Sequence, residues 1–117
     1  MRSAILFLTV FFILGLAGSL YAFDPMRIQI RTVLPTEIKT VGTASQYYAG
    51  VIGYRLATLS PAPEESADIA AEPISPLFFT NNILAVEDAI LAILRAPNLL
   101  LIDHEHKLFS FAKGGGQ

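Results

Sequence analysis

The sequence predicts an α+β fold in which two helices pack on small sheets, in the element order βαβ followed by βαββ. Two segments, 41–52 and 86–96, repeat apolar residues at the spacing of a helix that buries one face. Short stretches in which apolar and polar residues alternate flank these segments, which is the pattern of strands with one solvated face. The 117 residues fit a single domain.

Strands are predicted on both sides of each helix. Apolar and polar residues alternate in the segments before and after the first helix, and a short apolar run precedes the second. After the second helix, two apolar runs surround a polar tip at 104–107, which predicts a hairpin. The predicted strands are residues 26–33, 54–59, 77–80, Leu99–Asp103 and 108–111.

The first helix, 41–52, is predicted to begin after an N-cap at Thr40 or Thr43. Gly53 suits the left-handed conformation that often follows the last helical turn. The tyrosines Tyr47, Tyr48 and Tyr54 form either a surface that contacts a partner or part of the packing of the core. The face expected to be buried comprises Val41, Ala44, Tyr48, Val51 and Ile52.

The second helix, 86–96, has the most regular pattern in the chain. Glu87 and Asp88 in its first turn and Arg95 in its last complement the helix dipole, and a proline follows directly. Leu91 lies off the buried face. That face is predicted to comprise Val86, Ala89, Ile90, Ile93 and Leu94.

Residues 1–22 have the pattern of an export signal. Arg2 precedes an uncharged apolar run at 4–16, and small residues follow this run. We expect cleavage after Ala22, with cleavage after Ser19 as a competitor. The run is shorter than the roughly 20 residues that span a bilayer. Extending it to Ala22 reaches that length, so a retained inner-membrane anchor is the alternative to a mature periplasmic protein.

Composition narrows the classes of function. The sequence has no cysteine, so we expect no disulfide, no thiolate metal site, no thiol nucleophile and no lipoprotein anchor. A formal charge of −2 without a basic patch argues against a nucleic-acid partner.

The predicted domain, 23–113, contains an acidic, proline-rich linker at 60–73. The glycine-rich residues 114–117 are predicted to be a disordered tail.

The second half of the chain resembles the N-terminal domains of secretins, also called STN domains on secretins and TonB-dependent receptors. The resemblance lies in A-V-E-D-A-I-L-A-I-L at 85–94, P-N-L-L-L-I-D at 97–103 and H-K-L-F-S-F at 106–111. Residues 41–56, which end in I-G-Y-R-L, are similar to the family's first helix and the strand after it. The stand-alone module of PilL pilus proteins from conjugative elements is especially similar. One departure is Ala85, where the family usually has a capping Ser or Thr, and this forfeits about 1 kcal/mol.

The resemblance implies a non-enzymatic periplasmic assembly module. Its implied partners are a secretin or another envelope protein of a pilus, conjugation or secretion apparatus, or copies of itself in a ring. A periplasmic signalling or ligand-binding module is the alternative, because STN domains on receptors relay signals to an inner-membrane regulator. The resemblance implies no cofactor.

The densest group of ligand-type side chains is Asp103, His104, Glu105 and His106. In an extended strand the two imidazoles would lie on one side, where two histidines and a carboxylate can bind zinc. A solvated hairpin tip is the simpler interpretation, so we predict no metal site. No nucleophile motif or glycine-rich phosphate loop surrounds the Ser, His and Asp residues, so we predict no enzyme.

Function is therefore expected to depend on a surface. Phe78 and Phe79 are adjacent, so in a strand one of them faces outward and needs a cover. On the second helix, Leu91 is likewise an apolar residue that lies off the buried face and needs a cover. We predict that a partner protein covers Leu91 or the outward member of the Phe78–Phe79 pair, and a single core that buries both is the alternative.

Overall fold

The computed structural model describes residues 23–74 and 81–114. These residues form an α+β fold with three α-helices and two small sheets, which confirms the predicted fold class. The predicted export segment, the strand at 77–80 and residues 115–117 lie outside the described residues. The helices are α1, Val41–Gly50, α2, Ser66–Ala70, and α3, Val86–Ile93. The strands are β1, Gln29–Arg31, β2, Arg55–Leu56, β3, Ile83–Ala85, β4, Leu99–Asp103, and β5, Leu108–Ala112.

The two sheets bring distant parts of the chain together. β1 pairs antiparallel with β3 in the first sheet. The second sheet has the order β2-β5-β4, with β2 parallel and β4 antiparallel to β5. The predicted hairpin is confirmed, because β4 and β5 pair from Leu99 with Ala112 to Asp103 with Leu108.

Helix α1 begins as a capping box. The Thr40 hydroxyl accepts a hydrogen bond from the Thr43 N–H at 3.3 Å, and the Thr43 hydroxyl accepts one from the Thr40 N–H at 3.4 Å. Gly53 has a φ of +80°, as the sequence predicts. The predicted last turn is wrong, because α1 ends at Gly50 and Val51 is 65% exposed. The helix therefore buries a shorter face than the pattern indicates.

The segment 60–73 was predicted to be a solvated linker, and this is wrong. It contains α2, whose Ile69 is 1% exposed and belongs to the core. A Cβ at Gly42 would lie only 2.8 Å from the Ala70 Cβ, so glycine lets α1 and α2 approach closely. The Val41 N–H donates to the Glu72 carbonyl at 2.8 Å. Acidic and proline residues thus surround one short buried turn.

Helix α3 buries the face that the sequence predicts, since Val86, Ala89, Ile90, Ile93 and Leu94 are all buried. Its N-cap, Ala85, makes no side-chain capping bond. The helix ends at Ile93, so the prediction that Arg95 lies in its last turn is wrong. Glu87 and Asp88 lie in the first turn, as the sequence predicts, and both carboxylate oxygens of Asp88 also accept hydrogen bonds from Arg27 at 3.1 Å.

The core lies between the helices and the second sheet. Phe109 and Phe111 of β5 are fully buried, with ring centroids 5.9 Å apart in an edge-to-face arrangement. Tyr48 of α1 is 2% exposed, and its hydroxyl donates to the Thr32 carbonyl at 2.7 Å. Gly114, predicted to begin the tail, is buried beside Pro97 and Leu99.

We expect Ile90→Ala to lower the free energy of unfolding by about 2–5 kcal/mol, because Ile90 is completely buried. Leu91→Ala is a matched control, since Leu91 is the next residue and is 44% exposed. It should cost less than about 1 kcal/mol. Urea unfolding followed by circular dichroism measures both. Equal losses would contradict this assignment of the buried face.

Tyr48→Phe should lower the free energy of unfolding by about 1–2 kcal/mol at neutral pH, because it removes a buried hydrogen bond. Burial raises the pKa of Tyr48 to about 12. A tyrosine in the unfolded chain ionises at about pH 10. The protonated Tyr48 hydroxyl therefore stabilises the folded state fully below about pH 10, and this contribution to the free energy of unfolding is lost between about pH 10 and 12. Unfolding at neutral pH and at about pH 11 should therefore show a smaller alkaline decline for Tyr48→Phe than for the native chain. An unchanged decline would show that other groups cause it.

Candidate functional site

The tip of the β4–β5 hairpin contains the cluster of ionisable groups that the sequence indicates. The His104 Nδ1 lies 2.7 Å from the Tyr54 hydroxyl, and the His106 Nδ1 lies 2.8 Å from an Asp103 oxygen. The two imidazoles thus contact different partners, and the extended strand that would place them on one side is not formed, because the segment is the hairpin tip. The reason is local, because residues 104–107 form a turn that closes at Lys107, with a φ of 54°.

Three of these residues could offer ligands to a cation. Oxygens of Asp103 and Glu105 and a nitrogen of His106 lie within 4.8 Å of one another. The hydrogen bond from His106 lowers the pKa of Asp103, which keeps that carboxylate charged. All three side chains are exposed and come from one turn. Water competes with them freely, so this arrangement is a weak ligand set.

His104 connects the hairpin tip to two other parts of the domain. Its ring packs edge-on against that of Tyr54, with centroids 5.9 Å apart, and Tyr54 is 1% exposed. Its Nε2 lies 3.8 Å from an oxygen of Asp24, and that oxygen accepts a hydrogen bond from the Met26 N–H. Burial raises the pKa of Tyr54, so its hydroxyl remains protonated and can donate to His104. These contacts fix the position of the tip.

Strand β4 presents apolar side chains to solvent. Its exposure alternates, and Leu99 and Leu101 are 49% and 39% exposed on the face of the sheet that points away from the core. Phe109 and Phe111, opposite Ile102 and Leu100, occupy the buried face. The outer face is therefore the less covered side of the sheet.

A shallow groove of about 220 Å³ lies between residues 61–63 and the β4–β5 hairpin, and Leu101 is part of its wall. Its walls are largely apolar and include Ala57, Leu101 and Leu108. Leu59, two residues before Pro61 in the chain, is 83% exposed. We call the outward side of Leu99 and Leu101 together with this groove the β4 surface.

The residues that the sequence singled out for partner binding are only partly placed. Leu91 is 44% exposed on α3, off the buried face as predicted. Phe78 and Phe79 lie outside the described residues. Tyr48 and Tyr54 are buried, so for these two the packing interpretation holds.

Sequence reasoning did not single out Leu99 and Leu101. The signal available was the run Leu99–Ile102, which is apolar on both faces of a strand that has a polar tip immediately after it. A strand of this kind buries both faces where the sheet is covered on both sides, or exposes one face where the sheet is covered on one side only. Only the fold decides between these cases.

No helix within residues 23–74 and 81–114 is long and apolar enough to cross a membrane. Comparison of the chain with protein-family models, with curated proteins and with solved structures finds no match. The resemblance to secretin N-terminal domains therefore stays a prediction from the sequence.

Proposed function

We propose that this chain is a non-enzymatic periplasmic module that binds a secretin or another envelope subunit of a pilus, conjugation or secretion apparatus. The observation that carries most weight is the β4 surface, where two exposed leucines and an apolar groove lie on one sheet. The export pattern at residues 1–22 and the resemblance to secretin N-terminal domains support the location and the class of partner.

The shape of the groove favours a protein partner over a small ligand. Ligand pockets usually enclose about 300–1,000 Å³ and bury most of the ligand. The groove here has about 220 Å³ and lies open on the outer face of the sheet. Leucines beside an open groove suit an apolar side chain presented by another protein. At this groove, a periplasmic ligand-binding module has less support for this reason.

Leu91 provides a second apolar contact in this proposal. It lies on the solvent side of α3, beside the exposed Ala92, whereas the opposite side of the helix is completely buried. A partner that covered Leu91 would not disturb the core. We propose that Leu91, Phe78 and Phe79 contribute to the interface in addition to the β4 surface.

Export is tested by the N-terminus of the protein recovered from a Gram-negative host. We expect a periplasmic product that begins at Phe23, because cleavage after Ala22 best fits the small residues there. Edman sequencing of the periplasmic fraction measures this. A membrane-bound product beginning at Met1 would select the anchor instead. A full-length cytosolic product would contradict an envelope role.

Partner binding is tested by co-purification of envelope proteins with the tagged full-length chain. Leu101→Glu should reduce recovery of the partner by about tenfold or more, because it places a charge at the centre of the β4 surface. Leu91→Glu and Phe79→Glu examine the other proposed contacts separately.

Val51→Glu is the matched control, since Val51 is 65% exposed and lies at the C-terminal end of α1, outside the strands of the sheet that contains β4. Circular dichroism must show that each variant folds. If Leu101→Glu folds and still recovers the same partner in the same amount as Val51→Glu, the β4 surface is not the binding site.

A further inference from the structure

Strand β4 has one side without a neighbouring strand. The N–H groups of Arg55 and Ala57 donate to the carbonyls of Lys107 and Phe109 at 3.0 and 2.8 Å. The backbone N–H and C=O groups of the odd-numbered residues of β5 therefore point toward β2. The backbone groups of the even-numbered residues of β5 point toward β4, where Ser110 is paired with Leu101. Peptide groups alternate along a strand, so those of Leu100 and Ile102 point away from β5. Within the described residues, no strand pairs with that side of β4.

Apart from Asp103 at its end, this edge lacks the usual features that protect an edge strand from pairing. It is five residues long and contains no proline and no lysine. The opposite edge of the same sheet, β2, has only two residues and leads into a segment with Pro61 and Pro63. β4 is thus the side of this sheet that is open to another strand.

The pattern of free peptide groups on β4 is complementary to itself. If a second copy lies antiparallel with Leu101 opposite Leu101, then Leu100 of each copy is opposite Ile102 of the other. Each such pair can exchange two backbone hydrogen bonds, so all four outward peptide groups of each strand are used. The two Leu101 side chains then become close neighbours on the outer face.

Charges at the two ends of β4 favour the same arrangement. The tip end contains Asp103 and Glu105, and Lys107 offsets only one of these carboxylates. The other end contains Arg95 and Lys113, both exposed, and Glu65, whose carboxylate accepts a hydrogen bond from the Lys113 N–H at 3.2 Å, offsets only one of these two positive charges. Antiparallel pairing brings the acidic end of each copy beside the basic end of the other, which attracts, whereas parallel pairing would bring like charges together.

We infer that two copies of this chain pair through their β4 strands, antiparallel, around a two-fold axis at Leu101. The two three-stranded sheets become one six-stranded sheet. This pairing does not depend on which envelope subunit the module binds, and it occurs in the isolated protein.

The test is disulfide cross-linking of the purified full-length chain, which contains no native cysteine. In the proposed register the two Leu101 Cα atoms would be about 4.5 Å apart, within the range that a disulfide spans. Leu101→Cys should therefore yield mainly a cross-linked dimer on a non-reducing gel after mild oxidation.

Leu99→Cys is the matched control on the same face of the same strand. Its two copies would be separated by four residue positions, or about 13 Å, so it should give about tenfold less dimer. Equal cross-linking of both variants, or more from Leu99→Cys, would overturn the proposed register. The absence of dimer from both, with folding confirmed by circular dichroism, would overturn the pairing itself.

A second experiment uses charge in place of a covalent bond. Leu101→Glu and Leu101→Lys should each be monomeric, because the axis places two like charges directly opposite each other. An equimolar mixture of the two variants should recover the dimer in sedimentation analysis. Native chain that sediments as a monomer, or a mixture no more associated than either variant alone, would contradict a two-fold axis at this residue.

Discussion

The packing of β5 is the constraint on which the rest of the described structure depends. Phe109 and Phe111 are both buried in the core, and the two-residue period of a strand then directs Ser110 to the opposite face. Ser110 is also buried, and its hydroxyl donates to the Ala57 carbonyl at 2.7 Å, which ties β5 to the chain just after β2. Because β5 has neighbours on both sides, β2 and β4 become the two edges of the sheet. The position of β4 at an edge thus follows from how β5 is buried.

The sequence predicts best those elements whose pattern repeats several times. Helix α3 and the hairpin are correct because their apolar residues recur at fixed spacing and a proline or a polar tip ends each run. Helix α2 was missed, since its five residues show only one large apolar side chain, Ile69, among acids and prolines. Strand β3 was missed for a similar reason. Its three residues follow Asn81 and Asn82, and only pairing with β1 makes them a strand.

At the candidate site, too, the sequence pattern alone identifies some residues and leaves the environment of others undecided. Periodicity identifies Leu91 because a residue off a helical stripe can be recognised from that helix alone. It cannot decide whether Leu99 and Leu101 are buried, because their environment depends on which strands lie beside β4. The direction of His104 depends on a turn and on Tyr54, which is fifty positions away in the chain. Local sequence therefore finds polar clusters and apolar stripes, but the fold determines which of them meet.

Geometry makes the proposed pairing compatible with binding of a partner on the outer face. A two-fold axis between adjacent antiparallel strands is perpendicular to the sheet, so both copies turn their outer faces the same way. Leu99 and Leu101 of both copies would then form one apolar strip that runs diagonally across the seam, with each Leu99 opposite Asp103 of the other copy and a groove on each side. The contacts of His104 with Tyr54 and Asp24 hold the end of β4 in place before pairing. A fixed strand loses less conformational freedom when it binds, so these contacts favour association without touching the second copy.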